Sequence, residues 1–377
     1  MNLRIPFNRP LLAAEAFRYM QEAADGAHLS GNGPFARRCT AWLEERAGTS
    51  RALLTHSGTG ALEMAALLAG IGPGDEVIMP SFTFASTANA FVLRGATPVF
   101  VDIRADTLNL DERAVPDAIG PRTRAIVPVH YAGVGCEMDD LLGLAREHGL
   151  TVIEDAAQAL LATYRGRALG TLGQFGAISF HESKNIHAGE GGALLVGRES
   201  DVERAEVVHE KGTDRARFSR GEVDKYTWVD VGSSFPPSEL QAAFLWSQLE
   251  RADRIVEERL RLWDRYHAGL ADLENTGKLR RPVIPADRRH NGHLYYVLVG
   301  SMPRDRFIAA LAEVGIRAVF HYVPLHSSPA GRRYGRAPRP LPATDDASAR
   351  LVRLPIWSGM SMDQIDEVTA TIHRVLA

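Results

Sequence analysis

The chain has 377 residues, of which 45% are hydrophobic and 24% charged, and its formal net charge is −3. That length accommodates two domains or one large domain with an appendage, and the composition is that of a globular chain rather than a disordered one. The near-neutral charge excludes a global basic field that would draw the protein to nucleic acid or membrane, so an anionic substrate must be held by a local cluster.

From about residue 50 to 200, short apolar runs alternate with helical ones. Val77–Pro80, Pro98–Asp102, Ala125–Tyr131, Thr151–Asp155, Gly176–Phe180 and Ala193–Gly197 read as strands. They are nearly uniformly apolar, as expected where a sheet is covered on both faces. Helical stretches lie between them, at 61–69, 83–94 and 139–148. Such alternation predicts a mainly parallel α/β sheet. Leu240 to Leu260 has no Gly or Pro, and the helical pattern continues to about Leu273. At 1.5 Å per residue, ~30 residues make a rod of roughly 45 Å, long enough to bridge two domains. Strand-like 293–299, a helix over 304–314, a Pro/Arg/Gly-rich loop over 324–342 and a last helix after Asp363 complete a smaller α+β region. The segment from about Ser327 to Pro342 is the expected mobile loop. The expected division is a large α/β domain with the N-terminal segment, residues 1–245, and a small α+β domain, residues 246–377.

Cys39 and Cys136 are the only cysteines, too few for a disulfide framework, and no Cys-x-x-Cys pair suggests zinc. The first seven residues lack the basic region and apolar run of a signal peptide, and no apolar stretch approaches membrane-spanning length. A cytoplasmic protein with no metal, nucleic-acid or membrane partner is the expectation.

The chemistry concentrates in two places. Thr151-Val-Ile-Glu-Asp155 is a strand ending in a carboxylate. Gly176-Ala-Ile-Ser-Phe-His-Glu-Ser-Lys184 is a strand followed closely by an amine. An acid beneath a ring nitrogen and an amine beside an aldehyde are the two protein groups that pyridoxal 5'-phosphate requires. Ser57-Gly58-Thr59-Gly60 offers small residues at a helix start, where backbone N–H groups and the dipole favour a phosphate, and Ser179 can add a hydroxyl. Phe84 is placed to stack on a flat ring. Gly189-Glu-Gly-Gly192 demands unusual dihedrals or close approach just beyond the lysine. Each piece alone has a commoner structural role as a cap, a turn or a core residue; their order along the chain favours the chemical one.

These residues resemble a known family. Ser179-Phe-His-Glu-Ser-Lys-Asn185, Gly189-Glu-Gly-Gly192 and Glu154-Asp-Ala-Ala-Gln158 are similar to the pyridoxal-phosphate-dependent sugar aminotransferases of the DegT/DnrJ/EryC1 family. The likeness extends from Ile5 to the C-terminal helix. Val129-His-Tyr-Ala-Gly133, Phe180-His-Glu-Ser-Lys184, Lys211-Gly-Thr-Asp-Arg215, Val223-Asp-Lys-Tyr-Thr-Trp228, Gly232-Ser-Ser234 and His321-Tyr-Val-Pro-Leu-His326 resemble the branch that aminates dTDP-4-dehydro-6-deoxy-D-glucose to dTDP-4-amino-4,6-dideoxy-D-galactose for surface polysaccharides. The resemblance implies a fold-type I homodimer with shared active sites and L-glutamate as amino donor. It implies Lys184 as the Schiff-base lysine, Asp155 as the pyridinium partner and Gln158 on the ring or its hydroxyl. Gly58, Thr59, Gly60 and Ser179 would bind the phosphate and Phe84 would stack. Ser234 stands where many members supply a phosphate-binding Asn. His187 stands where a small polar residue is usual. Lys211, Arg215, Arg220 and Lys225 form a basic, aromatic-flanked stretch that would reach across the dimer to the nucleotide diphosphate; as plain sequence it equally suits a solvated loop. His321 and His326 suit a substrate hydrogen bond or packing better than metal ligation.

Three rivals are weaker. A nicotinamide dehydrogenase would need a third glycine where Glu63 stands. A sugar dehydratase of the same family would carry His in place of Lys184. A non-catalytic cofactor-binding sensor has no appended reading module to support it. A gluco-configured product or a different 4-ketosugar remains the nearest alternative within the aminotransferase reading.

Overall fold

The computed structural model describes residues 3–377. Its centre is a seven-stranded sheet built from β1 (Arg51–Thr55), β2 (Glu76–Pro80), β3 (Thr97–Val101), β4 (Thr123–Ile126), β5 (Thr151–Asp155), β6 (Phe175–Ser179) and β7 (Gly192–Val196), in the order β1-β7-β6-β5-β4-β2-β3. The β3-β2-β4-β5-β6 pairings are parallel, while β7 runs antiparallel to both β6 and β1. Successive side chains alternate between two cores. Ile78, Val99, Ile126 and Val152 pack on one face; Val77, Met79, Phe100, Ala125 and Ile153 pack on the other. Both faces are therefore apolar, which explains the uninterrupted hydrophobic runs.

A smaller antiparallel sheet, β8 (Leu279–Arg280), β9 (Tyr295–Val299) and β10 (Leu351–Leu354), supports a separate core with Trp263, Tyr266, Phe307 and the last helix, Met362–Leu376. A capping box of Ser361 and Gln364 starts that helix. Among the described residues no helix is long and apolar enough to cross a membrane.

Several sequence expectations are corrected. The continuous rod is three helices, Glu239–Leu249, Ala252–Gly269 and Ala271–Asn275. The first break falls at Arg251, whose ψ of 7° leaves the helical region. The middle helix still links the two cores: Ala252 and Ile255 pack with the large sheet, Leu262, Trp263 and Tyr266 with the small one. The strand expected over 125–131 ends at Ile126. Pro128 donates nothing to a ladder, and a turn follows with Ala132 and Gly133 at positive φ (58° and 79°). The expected loop at 324–342 contains the helix Pro329–Tyr334, and a further helix, Pro342–Arg350, begins at its end. Each proline sits at the first helical position, where its missing N–H costs nothing. Between these helices Arg336 pairs with Pro98 and Phe100 through its backbone, and its guanidinium lies 2.7 Å from buried Glu76.

Candidate active site

The carboxyl ends of the parallel strands open into a cavity of about 700 Å³ lined by Ser57, Gly58, Thr59, Phe84, Ser86, Asp155, Gln158, Ser179, Lys184, His321 and Arg353, among others. Crevices at strand carboxyl ends are where open α/β sheets bind ligands, and this volume suits a cofactor with part of a substrate.

Asp155 ends β5 and is 6% exposed. Its Oδ1 accepts from the Ala157 amide at 3.2 Å and its Oδ2 from the Thr87 hydroxyl at 2.7 Å; Thr87 in turn lies 2.8 Å from the Thr83 hydroxyl. Thr87 has one proton and gives it to the carboxylate, so Thr83 donates to Thr87. This relay fixes the carboxylate plane and leaves its remaining lone pairs to the cavity. Neighbouring Glu154 points the other way. Fully buried, it accepts from the amides of Gly170, Leu172 and Gly173 at 2.8, 2.6 and 2.7 Å and lies 2.8 Å from His130 Nε2. The Cys136 amide donates to His130 Nδ1 at 3.2 Å, so the ring proton sits on Nε2 and goes to Glu154. One carboxylate thus holds the scaffold while the next faces the chemistry.

Lys184 stands on a loop tied back on itself: Phe180 N donates to Gly191 O, Glu182 N to Gly189 O, and Lys184 N to His181 O. Gly189 has φ +76°, and a Cβ on Gly192 would lie 2.4–2.5 Å from the Ser57–Gly58 backbone. The glycine motif therefore presses the lysine loop against the Ser57–Gly58 turn. Lys184 is half-buried and lines the cavity. Enclosure pushes the Lys184 pKa down to about 8; the Asp155 charge opposes the fall and the Arg353 charge adds to it.

The site fits pyridoxal phosphate. At the start of the helix Gly58–Leu68, the Ser57 hydroxyl accepts from the Gly60 amide at 3.0 Å, while the amides of Gly58 and Thr59 have no acceptor among the described residues. A Cβ on Gly58 would come within 2.9 Å of Ser179 Cβ, so only glycine leaves that cradle open. The Thr59 and Ser86 hydroxyls, 2.7 Å apart, and Ser179 complete a set of donors suited to a phosphate. Phe84 is 61% exposed at the cavity. Gln158 is bound on both ends, accepting from the Ala132 amide at 2.8 Å and donating to the Tyr322 hydroxyl at 2.7 Å.

Not every sequence candidate reaches the cavity. Gly60 is buried behind it, serving the helix cap. His321 lines it, with Nδ1 2.8 Å from the Tyr131 hydroxyl, and burial with the Arg353 charge holds its pKa far below the usual value. His326 instead packs away, 2.8 Å from Ser81 Oγ. His187 is a structural residue: Gly189 N–H donates to its Nδ1, and its Nε2 proton goes to the Leu11 carbonyl at 2.9 Å. Lys211, Arg215, Arg220, Lys225 and Ser234 are exposed and do not line the cavity of their own chain. Lys211 pairs with Glu210, and Arg220 with Glu206 and Glu222. Conversely, sequence reading missed Thr87, Ser86, Tyr322, His293, Arg259 and Arg353. Thr83 and Thr87, one turn apart, left a readable signal; the others come from distant segments.

Comparison with known proteins agrees with this geometry. The model of the DegT/DnrJ/EryC1/StrS aminotransferase family matches residues 10–373. The chain is 36% identical over 384 residues to the GDP-perosamine synthase of Caulobacter vibrioides, covering 99% of this chain and 98% of that protein. It is 34% identical over 381 residues to the spore coat polysaccharide biosynthesis protein SpsC of Bacillus subtilis, covering 99% and 97%. The structure of DesI in the presence of its TDP-sugar product superposes with a TM-score of 0.89 at 30% identity, over 100% of this chain and 94% of that one. The fold is that of the fold-type I aminotransferases, and the chain belongs to the DegT/DnrJ/EryC1/StrS family of pyridoxal-phosphate-dependent sugar aminotransferases.

Proposed function

We propose that this enzyme moves an amino group from L-glutamate to C4 of dTDP-4-dehydro-6-deoxy-D-glucose, giving dTDP-4-amino-4,6-dideoxy-D-galactose. The observation that carries the transaminase part is the convergence of Lys184 and Asp155 on one cavity beside the Gly58 cradle. The sugar rests on the six motifs from Val129 to His326 and on the nucleotide sugars named for two similar proteins. Those two differ in nucleotide, so the choice of dTDP rests on the motifs.

Pyridoxal phosphate, when bound, supplies an aldehyde for amine exchange and a ring that accepts electrons from the carbon losing its proton. Gly58, Thr59 and Ser179 would hold its phosphate and Phe84 would cover its ring. Asp155, steadied by Thr87, would hold a proton at the ring nitrogen. Lys184, freed by the incoming amine and held with a pKa near 8, would carry the proton between donor α-carbon and acceptor site. The face from which it delivers that proton to sugar C4 sets the product's configuration. Glutamate and sugar use the site in turn, so ping-pong kinetics are expected.

The reading includes a homodimer. Phe218, Tyr226, Trp228, Val229 and Val231 are exposed apolar residues around the basic stretch, with Trp228 78% exposed. That combination suits a segment that packs on a second copy and brings Lys211, Arg215 and Arg220 to the partner's nucleotide. The test is incubation with glutamate and dTDP-4-dehydro-6-deoxyglucose, with NMR assignment at C4. An axial amine is expected. An equatorial amine overturns the galacto assignment, and failure of any amino donor to convert the cofactor favours a sensor.

A further inference from the structure

Among the buried polar residues that line the cavity, His293 alone has a side-chain acceptor atom without a hydrogen-bond partner. Thr83, Asp155 and Gln158 are bonded through every side-chain oxygen, and Arg259 has only donors. The neighbours fix which His293 nitrogen is the acceptor. Asn185 donates its side-chain amide to the Asn291 carbonyl at 2.8 Å, so its Oδ1 faces His293 Nδ1, 3.1 Å away. The ring proton therefore sits on Nδ1, and Nε2 keeps a lone pair. Burial, together with the charges of Lys184, Arg259 and Arg353, holds the His293 pKa well below the usual value, so the ring stays neutral.

The ring is also rigidly mounted. Its backbone amide donates to Asn291 Oδ1 at 3.1 Å, and the buried Arg259 guanidinium donates to the carbonyls of Gly292 and His293. Asn291, 2% exposed, reaches on to the carbonyls of Gln158 and Leu160, 2.9 Å from each. A Cβ on Gly133 would lie 2.2 Å from Asn291 Oδ1, so glycine there makes room for the bridge. The approach to β9, the lysine loop and the connection after β5 thus hold His293 between them. Nε2 is the one polar atom of the residue left without a partner among the described residues. An acceptor fixed in this way meets a ligand without first losing freedom.

Resting on the sugar reading above, we propose that His293 Nε2 accepts a hydrogen bond from the sugar hydroxyl on C3, the carbon next to the ketone. The chemistry of the two substrates decides between them. A lone pair takes a ligand that brings a proton and repels one that brings anionic oxygen. Glutamate brings two carboxylates, and its amine is consumed at the reacting position. The ketosugar brings neutral hydroxyls, and the C3 hydroxyl sits on the carbon bonded to the one that reacts. His293 is in turn tied through Asn185 to the residue after Lys184, and both His293 and Lys184 line the same cavity. A buried acceptor also discriminates sharply, because a sugar without that hydroxyl leaves it unpaired. His293 is thus a specificity residue for the sugar half-reaction alone.

The test uses the holoenzyme, pre-aminated with L-glutamate and mixed with dTDP-4-dehydro-6-deoxyglucose or its 3-deoxy analogue, while the cofactor spectrum follows the reaction. In the wild type the analogue should react roughly 10-fold more slowly at low concentration, the loss for a hydrogen-bonding group left unpaired in a buried site. His293→Leu should slow the parent sugar by a similar factor, treat the two sugars alike and leave the glutamate titration unchanged. His293→Gln, whose terminal amide can place an oxygen where Nε2 stands, should recover part of the preference for the hydroxyl. A purely structural role would not tell the two sugars apart, and if the Leu variant does not fold, the wild-type and Gln comparisons decide. A wild type indifferent to the C3 hydroxyl, a Leu variant that keeps the full preference, or equal losses in both half-reactions overturns the assignment alone. A wild type that glutamate aminates but neither sugar restores refutes the sugar reading, and the assignment falls with it. One that no amino donor converts refutes the transaminase reading before any variant is compared.

Discussion

In the proposed reaction Lys184 works as a free amine, and its surroundings decide how much of it is free. With a pKa of about 8 instead of 10.5, roughly a quarter of the lysine is neutral at pH 7.5, against about one part in a thousand for an unperturbed side chain. The neutral fraction rises with pH through the folded pKa. The rate at which apoprotein recovers its visible absorbance on adding pyridoxal phosphate should therefore climb between pH 7 and 9 with a midpoint near 8; a midpoint near 10.5 would show that the site does not enclose the amine. Thr87 predicts a second effect. Thr87→Val removes the 2.7 Å hydrogen bond to Asp155 while keeping shape. Turnover should fall about tenfold, as for loss of a hydrogen bond to a charged group, with cofactor still bound, and Thr87→Ser should restore it. A Val variant with unchanged kcat would remove Thr87 from the mechanism. At this scale sequence order was informative for Asp155, Lys184 and Gly58, because each closes or opens a regular element. It was silent on Arg353 and Tyr322, which reach the cavity only through the packing of the small sheet on the large one.

At the scale of elements, the site exists because three tight connections meet: the Ser57–Gly58 turn, the end of β6 and the start of β7. Gly58 is the narrowest point, with 2.9 Å between a prospective Cβ and Ser179. Gly58→Val should loosen cofactor binding about 10- to 100-fold, corresponding to ~1–3 kcal/mol of overpacking, measured by titrating apoprotein with pyridoxal phosphate; unaltered affinity would place the phosphate elsewhere. Glu154 holds the other side of β5. Glu154→Ala strands His130 and three amides in a fully buried site and should cost about 3–5 kcal/mol in urea unfolding. Strands were readable because both sheet faces are buried and the runs are uniformly apolar. Helix continuity was not. Nothing in Leu249-Glu-Arg-Ala252 marks a break by composition; the turn there carries the chain from one core towards the other. Pro329 and Pro342 read as breakers, whereas each starts a helix.

Across the whole molecule, the helix Ala252–Gly269 joins the two cores, and the N-terminal segment returns to the smaller core, where Ile5 pairs with Ile316. The exposed apolar residues from Phe218 to Val231 lie away from both cores. The proposed dimer predicts a light-scattering mass of about 82 kDa, twice the 41.2 kDa chain; a monomer at micromolar concentration would leave Lys211, Arg215 and Arg220 without a substrate to reach. The chain has four lysines, Lys184, Lys211, Lys225 and Lys278, and of these Lys184 alone lines the cavity. Borohydride reduction of the pyridoxal phosphate complex, followed by peptide mass mapping, therefore reads the site directly. The cofactor mass should appear on the peptide containing Lys184 and vanish in Lys184→Ala. Attachment to another lysine, or to none, would contradict the account.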